Sequence, residues 1–180
     1  MSQIFRGVRP LDYVLAAILT AAGVFLMAAN ITAGDDPSLI HPASTTSWLI
    51  VPLFLLVTVP VLWRRRNVAL VAGVTAAATA GHVLAFGWLT RCGVVLPLSF
   101  ALAYAVARYA RGRRDHVLGL AGLVVLIVVT LLRDSSADLA GASPIALGGL
   151  ALFYGAGWLV QNRVSKRSAA IPQASQHVSV

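Results

Sequence analysis

Three polar residues, Thr75, Thr79 and His82, lie inside an apolar run at the i, i+4 and i+7 spacing of one helix face. Counting 1.5 Å per residue from Asn67 places His82 about 22 Å along a helix, in the outer third of a bilayer. Imidazole titrates near neutral pH, so this polar stripe is a candidate sensor of protons or of an external ligand. The alternative, which we favour, is a neutral imidazole bonded to Thr79, to a backbone carbonyl or to a neighbouring helix.

Carboxylates and an imidazole on the predicted outer loops are a second candidate, because together they could bind a divalent cation. Their spacing matches no known ligand motif, and loop aspartates usually form turns. We therefore expect no metal and no cofactor. The residues concerned are Asp35, Asp36, His41, Asp134 and Asp138.

Two further side chains have both a chemical and a structural interpretation. Cys92 follows Arg91, and a nearby cation can activate a thiol towards oxidation, but a lone thiol at a membrane edge is more often a packing residue. Asp12 begins the first apolar run, where a carboxylate favours a helix N-terminus. We expect it to pair with an arginine such as Arg9 or Arg64.

The sequence lacks the usual parts of an enzyme. It contains no Glu, no pair of acidic residues within an apolar run, and none of the HExxH, GxSxG or GxxxxGK[ST] motifs. General acid–base, metal-dependent and nucleotide-hydrolysing mechanisms require such groups. We therefore predict no catalytic residues and no enzymatic activity.

Composition identifies the solvent in which the chain folds. Hydrophobic residues make up 58% of the 180 positions, charged residues only 11%, and mean hydropathy is +0.82, whereas soluble domains carry about 25% charged residues. The fold class is therefore predicted to be all-α, a polytopic membrane bundle forming one domain over residues 1–167. Its predicted spans are about 11–30, 48–63, 68–89, 94–107, 117–132 and 144–160, and residues 168–180 are predicted to be a disordered cytoplasmic tail.

Arginine and lysine alternate between the predicted loops. Twelve of the 14 basic residues fall before the first span or after the second, fourth and sixth, leaving only Arg91 and Arg133 on the other side. The positive-inside rule places the basic side in the cytoplasm, so both termini are expected there, in the cell (plasma) membrane. The strongest topology determinants are Arg64, Arg65, Arg66, Arg111, Arg113 and Arg114.

Small residues recur every four positions along the third span and indicate close helix packing. They are Ala69, Gly73, Ala77, Gly81 and Ala85. Gly148, Ala151 and Gly155 suggest a second such face on the sixth span. The fifth span is rich in Leu, Val and Ile and is expected to face lipid. Pro52 and Pro60 are expected to bend the second span.

The chain resembles the N-terminal membrane region of actinobacterial sensor histidine kinases of two-component systems, over about Arg9 to Arg167. The resemblance lies in the entry 9–12 (RPLD), in Arg64-Arg65-Arg66 running into 67–70 (NVAL), in the basic turn 105–114 and in the exit 157–163 (GWLVQNR). It implies a sensor-like membrane module. Asn67 stands where that family often has proline, and the chain ends where the kinase would begin, so kinase activity is not implied.

These observations predict a non-enzymatic membrane protein that acts as a sensor-like or regulatory module through helix packing with a partner or a second copy. The alternative is a small permease or transporter component, for which the bent second span and the His82 stripe would be the relevant features. The basic residues lie in short loops beside the membrane, so lipid rather than nucleic acid is the expected polyanionic contact.

Overall fold

The described residues form a bundle of helices without named β-strands, which confirms the predicted all-α membrane fold. The computed structural model describes residues 8–33 and 39–176, and side chains for 8–32 and 39–167. The helices are α1 (Pro10–Ala33), α2 (Ile50–Thr58) followed by a 3-10 helix (Val59–Trp63), α3 (Val68–Phe86), α4 (Cys92–Tyr109), α5 (Arg113–Leu132) and α6 (Leu139–Gln176).

Five of these helices are long and apolar enough to cross a membrane. The predicted second span is the exception, because its helical part covers only the 14 residues of Ile50–Trp63. Its last five residues form a tighter 3-10 helix that begins one residue before Pro60. Since a 3-10 helix rises about 2.0 Å per residue, the segment reaches about 24 Å, less than the thickness of a bilayer core.

Helix ends differ from the predicted spans where a local feature stops or extends the helix. Gly87, at φ 65°, ends α3 at Phe86 rather than at residue 89, because left-handed backbone favours glycine. Helix α6 continues to Gln176, beyond the predicted end of the sixth span at residue 160, since extending an existing helix needs no new nucleation. The disorder predicted for residues 168–180 stays a prediction, and residues 177–180 lie outside the described part.

Neighbouring helices make contact at small residues, although not always at those predicted. Helix α3 packs most extensively against α5, and α4 against α6. A Cβ added to Gly122 would lie 3.1 Å from the Cβ of Ala72, and one added to Gly157 would lie 2.5 Å from the carbonyl oxygen of Tyr104. Helix α5 therefore packs on one side and exposes the other.

Contacts between helix ends establish that successive helices run in alternating directions. At one end, Asp12 of α1 contacts Arg64 and Arg65 after the 3-10 helix. At the opposite end, Asn30 near the end of α1 bonds Thr90 before α4. We call the first the arginine-rich end and the second the Arg91 end. The turns after the second and fourth helical segments thus share the arginine-rich end, where Arg108 near the end of α4 also contacts Gln161 of α6.

Candidate functional site

Arg91 lies at the centre of a polar cluster at the Arg91 end of the bundle, and its side chain is fully buried. Its Nε donates to Nδ1 of His82 at 3.2 Å, and its Nη1 donates to the carbonyl oxygens of Arg133 at 3.0 Å and Leu89 at 3.3 Å. The guanidinium is therefore held by neutral acceptors from α3, from the turn before α4 and from the end of α5.

The backbone around this cluster is fixed by a short bridge between the two turns. Leu89 and Asp134 form an isolated parallel β-bridge, and the Ser135 N–H donates to the Leu89 carbonyl at 3.3 Å. The left-handed backbone at Gly87 turns the chain sharply after α3. This turn places the Arg91 side chain against the end of α5, where it reaches the Arg133 carbonyl oxygen.

His82 is held in one tautomer by its two partners. Because Arg91 can only donate, His82 Nδ1 accepts, and Nε2 carries the proton that it donates to the Ile50 carbonyl oxygen at 3.1 Å. The imidazole is neutral in this arrangement, packed between the rings of Phe54 and Phe86. These are the backbone and interhelical bonds that the non-sensing interpretation expects.

The rest of the predicted polar stripe is buried with His82 but not bonded to it. The Thr79 hydroxyl donates to the Thr75 carbonyl at 2.9 Å. Thr75 Oγ1 is buried and has no hydrogen-bond partner among the described residues. The three residues therefore share the core-facing side of α3, without a continuous chain of hydrogen bonds between them.

Asp134 balances the charge of Arg91 without forming an ion pair with its guanidinium. One carboxylate oxygen accepts from the backbone N–H groups of Arg91 and Cys92, both at 2.7 Å, so it caps the N-terminus of α4. The other accepts from the Ser136 N–H at 3.0 Å and the Ser136 hydroxyl at 2.8 Å. Asp134 is thus fully used as a structural acceptor.

Burial lowers the pKa of Arg91 to about 10, while the attraction of Asp134 opposes that change. Arg91 therefore remains protonated at neutral pH. A buried cation is tolerated only when its donors find acceptors, and this guanidinium donates to one imidazole nitrogen and three carbonyl oxygens, the third being that of His82.

Asn30 extends the cluster to α1. Its Nδ2 donates to the carbonyls of Leu26 and Thr90, both at 2.9 Å, and its Oδ1 accepts from the Thr90 N–H at 2.8 Å. With the Ile50 carbonyl from α2, the cluster joins the ends of five helices. Chemically it holds these ends together, because it contains neither a nucleophile beside a base nor a free acid–base pair.

The other predicted site residues at this end are not gathered into a metal site. His41 packs against Trp88 with tilted rings whose centroids are 3.9 Å apart, and Asp138 accepts a bond from the Gly141 N–H. Within the described ranges, no group of three His, Cys or acidic residues could hold a metal ion. Asp35 and Asp36 lie outside the described residues.

Cys92 is half-buried beside the cluster. Its Sγ lies 3.3 Å from the Ser136 hydroxyl, whose own hydrogen bond goes to Asp134. The thiol therefore packs into the same turn that Asp134 organises. This agrees with the packing interpretation of this residue.

The arginine-rich end contains a second buried polar contact, and this one was predicted. Asp12 is fully buried and bonds Arg64 Nη2 at 2.9 Å and Arg65 Nε at 2.7 Å. The Arg9 N–H also donates to it at 3.0 Å. Arg65 stacks on Tyr109 at 4.8 Å, so this carboxylate ties α1 to the turn after the second helical segment and to the end of α4.

The small-residue face of α3 points away from the rest of the bundle. Gly73, Ala77, Gly81 and Ala85 are exposed and Ala69 is half-buried. A Cβ added at Gly73 or Gly81 would meet no atom within 4 Å. We call these five residues the α3 ridge; among the described residues, no helix packs over it.

Sequence reasoning missed Arg91 and Asn30 as members of a site. In the sequence, Arg91 is the cation beside Cys92 and one of two basic residues on the poorly charged side, and Asn30 is the end of a predicted span. One signal was present: Arg91 stands in a loop of five residues, 87–91, too short to carry a long cation far from α3 and α4.

Comparisons with known proteins give this chain no relatives. No protein-family model, no curated protein sequence and no solved structure matches it.

Proposed function

We propose that this protein is a non-enzymatic, sensor-like membrane module that acts by packing the α3 ridge against a partner helix, with a second copy of the chain as that partner. The observation that carries the proposal is the exposure of the ridge. Four of its five residues face outward along α3, where the described part of the chain provides no covering helix.

Small residues at intervals of four let two helix backbones approach closely in lipid, where van der Waals packing replaces the hydrophobic effect. Such a ridge is self-complementary, because the groove above each glycine receives the backbone of an identical helix. A two-fold dimer requires this property, since both subunits present the same patch.

The two polar clusters join several helices, which suits a module in which a conformational change moves these helices together. The Arg91 cluster joins five helices at one end, and Asp12 joins α1, the Arg64–Arg65 turn and α4 at the other. The resemblance to sensor-kinase membrane regions supports a signalling partner on the basic side. We place that side in the cytoplasm, and both termini with it, on the alternation of basic loops.

The proposal is tested by measuring self-association in liposomes. Energy transfer between donor-labelled and acceptor-labelled copies of the full chain reports the dimer. We expect Gly81→Leu to weaken dimerisation about tenfold, because overpacking a close contact costs about 1–3 kcal/mol. The substitution has room within the chain, since no atom lies within 4 Å of the added Cβ.

Ala156→Leu on α6 is the matched control. Ala156 is also exposed, but it lies on a helix that packs against α4 rather than α3. This variant should dimerise like the unchanged protein. Equal energy transfer in both variants, or none above random mixing in the unchanged protein, would overturn the proposal.

A further inference from the structure

A groove runs between α3 and α5 at the arginine-rich end and has a volume of about 530 Å³. Its walls are apolar or small, and its mouth carries Asn67, Arg114 and Asp115. Because α3 and α5 both begin at this end, the mouth lies at the level of lipid headgroups while the rest extends towards the bilayer core. Its wall residues are Ala69, Leu70, Gly73, Val74, Ala77 and Leu118.

The mouth of the groove carries a cation that is free to bind an anion, while the formal charges of Arg114 and Asp115 in its lining cancel. Arg114 is exposed and makes no hydrogen bond or ion pair with the described residues. Asp115 is the one acid lining the groove, and its carboxylate accepts from the Arg111 N–H at 3.4 Å, within the first turn of α5. The other acid at this end, Asp12, is already engaged by two arginines.

The N-terminus of α5 adds to this field. Its N-cap is Gly112, and no side chain caps the helix there. Exposed N–H groups at a helix start carry partial positive charge and favour phosphate. Here they lie beside Arg114, so the helix end and the guanidinium act on the same space.

The geometry points to an anionic phospholipid as the occupant of this groove, with its phosphate at Arg114 and an acyl chain along Gly73 and Ala77. An apolar groove with a cation at the headgroup level matches both parts of such a lipid, as basic pockets between membrane helices generally do. A lipid without net charge matches only the walls.

This inference is tested separately from the proposed dimer, although both use one end of the α3 ridge. The groove shares Ala69, Gly73 and Ala77 with the ridge, so an acyl chain and a partner helix would exclude each other there, but Gly81, on which the dimerisation test depends, does not line the groove. Gly81→Leu should therefore weaken dimerisation and leave lipid binding unchanged, so that the two ideas fail or succeed separately.

The test is native mass spectrometry of the detergent-solubilised full chain titrated with phosphatidylglycerol or with phosphatidylcholine. We expect one phosphatidylglycerol to be retained in preference to phosphatidylcholine. Arg114→Gln should weaken that binding about five-fold, the equivalent of about 1 kcal/mol for one arginine near an anionic headgroup. Arg113→Gln is the matched control, because Arg113 is exposed on the adjacent position but does not line the groove.

The variant Gly73→Leu tests the contribution of the groove's shape separately from that of the charge at its mouth. The leucine has room within the chain but fills the groove, so it should abolish retention of the lipid while all charges remain. Equal losses in the Arg113 and Arg114 variants would mean only diffuse attraction, and would overturn the inference. So would equal retention of the two lipids, or unchanged binding in Gly73→Leu.

Discussion

Arg91 shows how a cation can be placed inside this bundle without a direct ion pair. Its guanidinium bonds an imidazole and backbone carbonyls, while Asp134 acts on the backbone N–H groups at the start of α4. Each acceptor belongs to a different turn or helix. The charge therefore requires all these segments to stay together, since separating any of them leaves a buried donor unsatisfied.

Asp134→Asn tests how much of this arrangement depends on the carboxylate. An amide presents one acceptor oxygen instead of two and no charge, so it cannot accept all four bonds that Asp134 receives. We expect the variant to lose about 2 kcal/mol of stability, the usual range for bonds to a charged group. Thermal unfolding in detergent measures the loss.

Asp138→Asn is the comparison for this change, because it makes the same substitution four residues later. Asp138 is exposed and precedes α6, where asparagine caps a helix as well as aspartate does. The unfolding temperature of the Asp138→Asn variant should stay near that of the unchanged protein. If the two variants unfold together, the bonds of Asp134 do not stabilise the bundle.

At the scale of single residues, the sequence indicated contacts whose partners lie at predictable helix ends. Asp12 and Arg64 are 52 positions apart, yet two antiparallel spans bring their ends together, so their pairing followed from the topology. Arg91 could not be placed in this way. Its burial depends on the turn at Gly87 and on the Leu89–Asp134 bridge, and neither has a hydrophobic periodicity.

At the scale of the helix, small residues have two different roles that sequence spacing does not distinguish. Gly148, Ala151 and Gly155 have the spacing of a packing face, but a Cβ at Gly148 or Gly155 would meet nothing within 4 Å. The close contact of α6 is instead at Gly157 and Gly149, opposite Tyr104 and Phe100. The sequence spacing correctly indicated that α6 carries small residues, whereas the face of α6 that packs against α4 depends on the tertiary arrangement.

Replacing Gly157 with alanine should separate α6 from α4. The added Cβ would lie 2.5 Å from the Tyr104 carbonyl oxygen, a backbone atom that cannot turn aside. Overpacking of this kind costs about 1–3 kcal/mol. Chemical denaturation of the reconstituted protein should show this loss for Gly157→Ala.

Gly155→Ala provides the control two residues earlier on the same helix. Both substitutions raise helix propensity equally, so any difference between them reports the contact with α4. The Gly155 variant should be as stable as the unchanged protein or slightly more so. A Gly157 variant of equal stability would show that the helices are not in close contact at this point.

At the scale of the whole molecule, charge and hydropathy were sufficient to predict the class of fold and the relative direction of the helices. Arginines resist transfer across lipid, so their alternation counted the crossings even where apolar runs were short. The second helical segment shows that helix length alone is weak evidence for or against a membrane span. Its 14 helical residues fall below the usual minimum, yet its ends lie at opposite ends of the bundle, at Ile50 near His82 and at Arg64 near Asp12.

Which end faces the cytoplasm is tested by labelling intact cells with a membrane-impermeant maleimide. In a Cys92→Ser background, Ile40→Cys reports the Arg91 end and Gly112→Cys the arginine-rich end; both positions are exposed. The positive-inside rule predicts that Ile40→Cys reacts in intact cells, while Gly112→Cys reacts only after permeabilisation. Labelling of Gly112→Cys in intact cells would place the basic turns outside, and the anionic lipid proposed at Arg114 would then have to come from the outer leaflet.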